Sequence, residues 1–426
     1  MPDTTPGHAR RAAIRTYLLL SSVGALFFSM IVTVNLLYQV ETVGLSPLQL
    51  VLVGTTLETA IVLFEIPTGV VADLVSRRRS ILIGYVLIGA GFMLEGSVPA
   101  FAAIMLAQGL WGIGYTFTSG ATEAWITDEV GEDAAGHVML RGNQAELAGA
   151  IIGVLLGTGL GVIHIQLPIV LGGAGHIALA AVLLRVMPET NFHPTPMADR
   201  STWRHMAEIA RDGVAIARSR PVVRVLLLAS LLVGLSSEAF DRLWTKHLID
   251  AFAFPDVPGG SDLVVWFGAI HLIGMLLSLL AAEALKRFHP ESLGPGTPAR
   301  LLAGLAAGRV AATILFALAG WLWLALGALW IRSALGSVTQ PVSAAWMNRN
   351  IEPRSRATVI SFREQVASLG EIGGGPPLGA VGSRFGVPSA LVGTAIVFAP
   401  AVAAYLRATR LRDHVRAESS TIEEPA

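Results

Sequence analysis

Twelve runs of mostly apolar residues, each about 20 long or longer, follow one another along this 426-residue chain. A helix of that length spans the hydrocarbon of a bilayer, and soluble domains have no use for so many. The runs lie near 14–37, 48–72, 80–98, 100–126, 139–162 and 165–187, then 222–249, 262–285, 299–319, 321–347, 356–382 and 387–408. Charged residues make up only 14%, against about 25% in an ordinary soluble domain. Forty-five glycines against 5 tyrosines suit closely packed helices rather than a β-barrel with aromatic girdles. The first run follows Arg10, Arg11 and Arg15 but is too long for a signal peptide and lacks a small-x-small cleavage site. The expected fold class is therefore an all-α membrane protein of twelve transmembrane helices.

Charge placement sets the expected orientation. Lys and Arg total 30 and balance 30 Asp and Glu, so no global basic field attracts nucleic acid. The cations gather in the N-terminal tail, at Arg77, Arg78 and Arg79, in the central loop, around Arg287 and Arg349, and in the C-terminal tail. By the positive-inside rule those segments face the cytoplasm, as do both termini, and only Arg384 and Lys246 fall on the other side. The protein is expected in the cell membrane. Cysteine is absent, which excludes disulfides, thiolate zinc sites and cysteine nucleophiles.

The most polar stretch, 188–221, divides six runs from six. Within it Trp203, Met206, Ala207, Ala210, Val214 and Ala217 share one helical stripe, flanked by Arg200, Arg204, Arg211 and Arg218. That pattern describes a helix in the headgroup layer, tethering two halves. A shift of 221 residues pairs Ala124-Trp125 with Ala345-Trp346, Gln144 with Gln365, Gly149 with Gly370 and Gly153 with Gly374. One ungapped offset implies a parallel duplication, which is a secondary-transporter architecture. The expected parts are a six-helix bundle at 1–187, the linker at 188–221, a second bundle at 222–410 and a disordered tail at 411–426.

The loop after the second run reads GVVADLVSRRRS at 69–80. It resembles the signature loop of the major facilitator superfamily, with Gly69, Asp73, Arg77 and Arg78 at matching positions. Leu74 stands where a basic residue is usual, and Ser76 replaces a second glycine. The resemblance implies the major facilitator fold, two parallel six-helix bundles. It also implies that Gly69 lets helices approach and that Asp73 latches the halves in one state. Proton-coupled exporters of the family often carry an arginine four residues before a Gly-x-Gly in the fourth span. Here Gln108 precedes Gly112-Ile113-Gly114, and the fifth span has the ladder Gly149, Gly153, Gly157, Gly161 in place of the usual Gly-Pro pair. The run Gly373-Gly374-Gly375-Pro376-Pro377 is expected to kink or unwind the eleventh span.

No phosphate-binding loop is present, so ATP is not the energy source. His164, His176, His247 and His271 lie on four segments without metal-ligand spacing and read as satisfied packing residues. No metal and no cofactor is expected.

The informative residues are ionisable groups inside the spans, each costing about 2.5–3.5 kcal/mol at a lipid-facing helix centre. Glu123, Glu146 and Arg363 lie within two turns of the expected cytoplasmic ends, near Asp73, Asp128 and Arg141. With Glu364 they are expected to form an inner-gate ion-pair cluster. Glu238 and Arg242, four apart, can neutralise each other. Glu58 is at about mid-depth, with Glu65 two turns further on the same face, so Glu58, Asp241 and Glu65 are candidate proton carriers. In the superfamily the first, fourth, seventh and tenth helices line the cavity. That resemblance makes Asn35, Tyr38, Tyr115, Thr116, Glu238, Trp330, Arg332 and Gln340 cavity candidates, and assigns Arg309 to structural pairing.

The reading is a monomeric secondary active transporter that exports a small amphipathic compound in exchange for protons. Uptake of an organic anion, with Arg332 as counter-ion, is the rival within the class. A non-transporting sensor or scaffold is the rival outside it. An intramembrane hydrolase lacks a convergent Ser-His-Asp or metal set.

Overall fold

The computed structural model describes residues 6–194, 203–257, 262–287, 296–351 and 353–409. The expected disordered tail 411–426 and Arg200 of the linker stripe lie outside the described residues, as do the side chains of Trp203 and Met206. The described residues are mostly helical and contain no strand. The first half comprises α1 (Pro6–Leu37), a π-helical turn (Tyr38–Thr42), α2 (Pro47–Leu74), α3 (Arg77–Ser97), α4 (Phe101–Thr118), α5 (Ala121–Val130), α6 (Glu132–Ile163) and α7 (Gln166–Val186). After α8 (Trp203–Ser219) come α9 (Pro221–Ala251), α10 (Asp262–Arg287), α11 (Thr297–Leu318), α12 (Leu322–Asn350), α13 (Pro353–Phe385), α14 (Val387–Phe398) and α15 (Pro400–Ala408).

Among the described residues, ten helical stretches are long and apolar enough to cross a membrane. The other two expected spans are helical as well, but differ in ways the sequence explains. The run 100–126 is two helices, α4 and α5, because Gly120 takes a φ of +67° that a β-carbon would resist. The eleventh, α13, is polar yet continuous. It does not unwind at Pro376 and Pro377. Gly370 and Gly374 lie against the α9 backbone at Leu231 and Leu235, which holds the segment in place. Leu106, Ile163, Leu280 and Leu318 are among many large apolar side chains left exposed, as lipid rather than water requires.

The chain forms two compact units. The first contains Met1–Leu45, Thr56–His205 and Phe254–Leu272; the second contains Ser46–Thr55, Met206–Ala253 and Ile273–Ala426. In the first unit α6 lies along α1, and the glycine ladder is the seam. A β-carbon at Gly149, Gly153 or Gly157 would run into the α1 carbonyls of Ser22, Leu26 and Met30 in turn. Both partners advance by four residues, so the two backbones touch along three turns. The second unit repeats the device with α13 on α9, where Gly374 faces the carbonyl of Leu235. Each core is anchored by one of the duplicated tryptophans. Trp125, at 1% exposure, packs with Ile81, Ile126 and Leu183; Trp346, also at 1%, packs with Val223, Leu302 and Ala401.

The linker helix α8 belongs to the second unit from Met206 onward. Its packed face shares Ala217 with the expected stripe and otherwise lies beside it. Gly213 lies against Phe362, and Ile216 and Ala217 pack on the second core, while Ala207 and Val214 are exposed. Gly213, which a hydrophobicity pattern passes over, allows the close approach of Phe362.

Candidate functional site

Each unit encloses a cavity, and the two differ in chemistry. The cavity of the first unit measures about 450 Å³, within the usual range for small-molecule sites. Tyr17, Phe28, Tyr85, Trp111 and Tyr115 form an aromatic wall, and Glu123, Asn143, Glu146 and His176 supply polar groups. Phe28 and Trp111 rings stand 5.6 Å apart, and Tyr85 stacks on His176 at 5.8 Å. Tyr85 also fills the space beside Gly24. Glu123 and Glu146 are exposed to the cavity and make no hydrogen bond or ion pair through their carboxylates among the described residues. The arrangement suits a cation with an apolar body, held by aromatic faces and carboxylates together.

The second cavity is smaller, about 240 Å³, and is lined by Arg309, Arg363, Gln340, Glu364, Glu371 and Tyr405. Its charges are largely engaged. Arg363 donates from Nε to Ser230 Oγ at 2.9 Å and from Nη2 to Gln340 Oε1 at 3.0 Å. Glu371 Oε1 accepts from Ser237 at 3.1 Å. Arg309 lies 5.1 Å over the Phe398 ring, and its Nε is buried with no acceptor.

These positions bear on the expected roles of the two arginines. Arg309, assigned to structural pairing, lines a cavity. Arg332, a cavity candidate expected to meet either a substrate anion or a carboxylate of the seventh span, stacks 3.3 Å over Phe240 and lies 3.8 Å from Asp241 of that span. Glu238 and Arg242 form their pair at 2.9 Å. Gly54 makes room for it, since a β-carbon there would collide with the Glu238 carboxylate. Trp330 faces Gly274 of α10.

The remaining candidates fall into three groups. Tyr38 and Asn35 are buried within the first unit: Tyr38 donates to the Glu95 carbonyl at 2.9 Å, and Asn35 accepts from Gln39. Thr116 is buried and bonds the carbonyl of Ile113, leaving Tyr115 as the exposed member of that pair. On α2, Glu58 is half-buried and Glu65 exposed.

The third group is the expected gate, whose members are divided between the two units and are described within each unit separately. Arg77 pairs with Asp128 and also donates to the Ala124 carbonyl. Arg78 bonds the carbonyl of Leu184. Arg141 and Glu364 are exposed and Asp73 half-buried, with no ion pair among the described residues. Among the described residues, a β-carbon at Gly69 would meet nothing within 4 Å. Glu123 and Glu146 face a cavity with room for water, which removes the need for a cation partner.

Sequence reasoning missed three carboxylates. Glu189 caps the start of α3, taking Ser76 Oγ at 2.6 Å and Arg78 N at 2.9 Å. Glu129 receives Thr190 N, Thr190 Oγ1 and Asn191 N at 2.6–3.0 Å. Together they brace the signature loop from the α7 side. Glu95 is fully buried between Gln39 and Gln108. The four histidines bond backbone groups: His176 to Gly172, His247 to Phe316, His271 to Phe267 and His164 to Gln166.

Comparison with known proteins decides the family. The sequence profile of the Major Facilitator Superfamily matches residues 18–374. The chain belongs to the major facilitator superfamily. Among curated superfamily members it is 23% identical to the uncharacterized MFS-type transporter YxaM of Bacillus subtilis (strain 168), over 86% of this chain and 89% of that one. Among solved structures, a bacterial homolog of the human lysosomal transporter Spinster, inward-facing and occupied, matches with a TM-score of 0.71 at 17% identity, covering 94% and 97%. The nucleoside transporter NupG matches with a TM-score of 0.74 at 15% identity, covering 94% and 100%. The superfamily fold, twelve helices in two parallel six-helix bundles, is the fold of this chain. It is a multi-pass membrane transporter working by alternating access, not an enzyme.

Proposed function

We propose that this transporter exports small amphipathic molecules in exchange for protons, and that those molecules carry a positive charge. The observation that carries the reading is the aromatic cavity of the first unit, with Glu123 and Glu146 free of other partners among the described residues. A carboxylate in a membrane cavity holds an organic cation or a proton, not both. Competition for the same two groups makes the exchange obligatory: a proton entering from outside releases the substrate, and the deprotonated pair accepts another inside. The membrane potential adds about 2.3 kcal/mol per net charge per 100 mV.

Other residues take supporting roles in this proposal. Glu58, half-buried at mid-span, with Glu65 two turns on and Asp241 on α9, offers further stops for a proton. Asp73 serves as the latch in the alternate state, with both termini cytoplasmic and the chain acting as a monomer of two bundles joined by 188–221.

The second cavity supports one alternative. Two guanidinium groups, one with an unpartnered buried Nε, suit an organic anion. Proteoliposomes with an imposed pH gradient separate the readings. A quaternary aromatic amine and an aromatic carboxylate of similar size serve as probes. Gradient-driven accumulation of the amine supports cation–proton exchange; accumulation of the carboxylate alone replaces it with anion transport.

A further inference from the structure

A buried carboxyl group outside both cavities lies among α1, α3 and α4. Glu95, two residues before the end of α3, has no exposed surface, and neither have Gln39 and Gln108. Gln39 Nε2 donates to Glu95 Oε1 at 2.7 Å and to Asn35 Oδ1 at 3.0 Å. Gln108 Nε2 donates to Glu95 Oε2 at 3.1 Å. Both glutamines thereby leave their Oε1 atoms buried with no hydrogen-bond partner among the described residues. Buried acceptors without a donor are rare, because their lost hydration is not replaced.

Two orphaned amide oxygens beside one carboxyl group point to a donor that comes and goes. A half-turn of a glutamine amide exchanges Nε2 for Oε1 in nearly the same volume. Facing an ionised carboxylate, the turned amide is repelled. Facing a carboxylic acid, it accepts the O–H. Gln39 is fixed by its second bond to Asn35, whereas Gln108 makes one bond only, so Gln108 is the amide that turns. The existing bonds, 2.7–3.1 Å long, close around the carboxyl group and favour a proton, which needs no room, over a metal ion.

We propose that Glu95 is a proton-binding site, with Gln108 as the partner that reports its state. One proton from solvent joins Glu95 Oε2, and only hydrogen bonds rearrange. The ionisable surroundings are sparse. Tyr38 donates to the Glu95 carbonyl, Glu41 in the same π turn is exposed, and α4 carries no Asp, Glu, Lys or Arg. On α7, His176 is bonded to Gly172 and Arg185 lies in the last turn; on α5 the nearest charges, Glu123, Asp128 and Glu129, are placed as described above. Tyr85 and the arginines Arg77–Arg79 occupy the opposite half of α3.

The site is also one bond from a junction. The Gln39 carbonyl accepts Leu45 N at 3.1 Å, and Tyr38 likewise accepts Val43 N at 3.1 Å. The next residue, Ser46, begins the stretch that belongs to the second unit. A π turn inside a helix is frequently found at such functional points. Protonation of Glu95 therefore acts on the turn that leads from one unit into the other.

Infrared difference spectra of the purified full chain in lipid nanodiscs, without substrate, test this from about pH 5 to about pH 9. The expected result is a carboxylic-acid C=O band that grows as pH falls, is lost in Glu95→Gln and persists in Glu123→Gln. In Gln108→Leu the band should move to higher wavenumber, because the acid has lost its acceptor. Titrating bands left intact in Glu95→Gln overturn the proposal, and so does a band unmoved in Gln108→Leu. If Glu95→Gln does not fold, the Gln108→Leu band decides alone. No substrate enters the measurement, so failure of cation–proton exchange at Glu123 and Glu146 leaves this result standing, and the reverse.

Discussion

The two units are built on the same frame and filled with opposite chemistry. Both seat a glycine-bearing helix on its partner's carbonyls, and both anchor the core on a tryptophan at the duplicated position. Among the described residues, the first unit leaves two carboxylates without hydrogen-bond or ion-pair partners behind an aromatic wall, whereas the second ties Arg363 to Ser230 and Gln340. Duplication thus preserved what close packing dictates and released what it does not. A backbone seam tolerates no side chain. A cavity wall tolerates many, so that is where the halves diverged.

The shared frame makes the largest prediction. Gly149→Val and Gly374→Val each drive a side chain into backbone carbonyls, which cannot rotate aside as a neighbouring side chain could. Each should cost about 3 kcal/mol or more, the upper end for overpacking, read as a lost or sharply lowered Tm in detergent. Gly159→Val, on the same helix with open space around it, should change stability by less than about 0.5 kcal/mol. A tolerant Gly374→Val would break the equivalence of the two seams.

The divergent cavities make the next. Glu146→Gln, alone or with Glu123→Gln, should lower gradient-driven accumulation at least about tenfold, or about 1.4 kcal/mol. Its Tm should hold, since neither carboxylate is bonded to protein among the described residues. Arg363→Gln should do the reverse: two lost hydrogen bonds cost about 1–3 kcal/mol of stability, with transport changed less than about threefold. Exchange of those two outcomes would move the substrate site to the second unit.

Much of the frame was legible because it depends on spacing along one helix. The apolar runs, the four-residue ladder and the repeated Ala-Trp pair are local patterns. The sites were less legible, for two reasons. Which of Arg309 and Arg332 meets a cavity depends on helix rotation against a neighbour, and both sit in similar apolar context. Glu95 was passed over because a carboxylate two residues from a span end reads as interfacial. Only the glutamines at 39 and 108, far apart in sequence, reveal that it is buried. Gln108 itself stood out, as the residue in place of a family arginine, but its partner did not.

The smallest expected effect concerns Arg332, for which the sequence leaves open a substrate anion or a carboxylate of the seventh span, and which lies beside Asp241 of that span. Its side chain is 13% exposed and lies on the Phe240 ring, while its partner Asp241 is 61% exposed. A desolvated cation–π contact contributes up to about 2 kcal/mol, and an ion pair to so exposed a carboxylate less than about 1 kcal/mol. Arg332→Gln should therefore lower stability by about 1–2 kcal/mol, and Arg332→Lys by less, since lysine keeps the charge over the ring but loses the flat face. Asp241→Asn should fall within about 0.5 kcal/mol of wild type. Transport rates scaled to folded protein should stay within about twofold for the two Arg332 variants. The two cations would then differ in kind: Arg309 bordering a cavity with an unused donor, Arg332 holding α12 to α9. A change in substrate affinity beyond about tenfold in Arg332→Gln, with Tm intact, would return Arg332 to the substrate and give the second unit a share in binding.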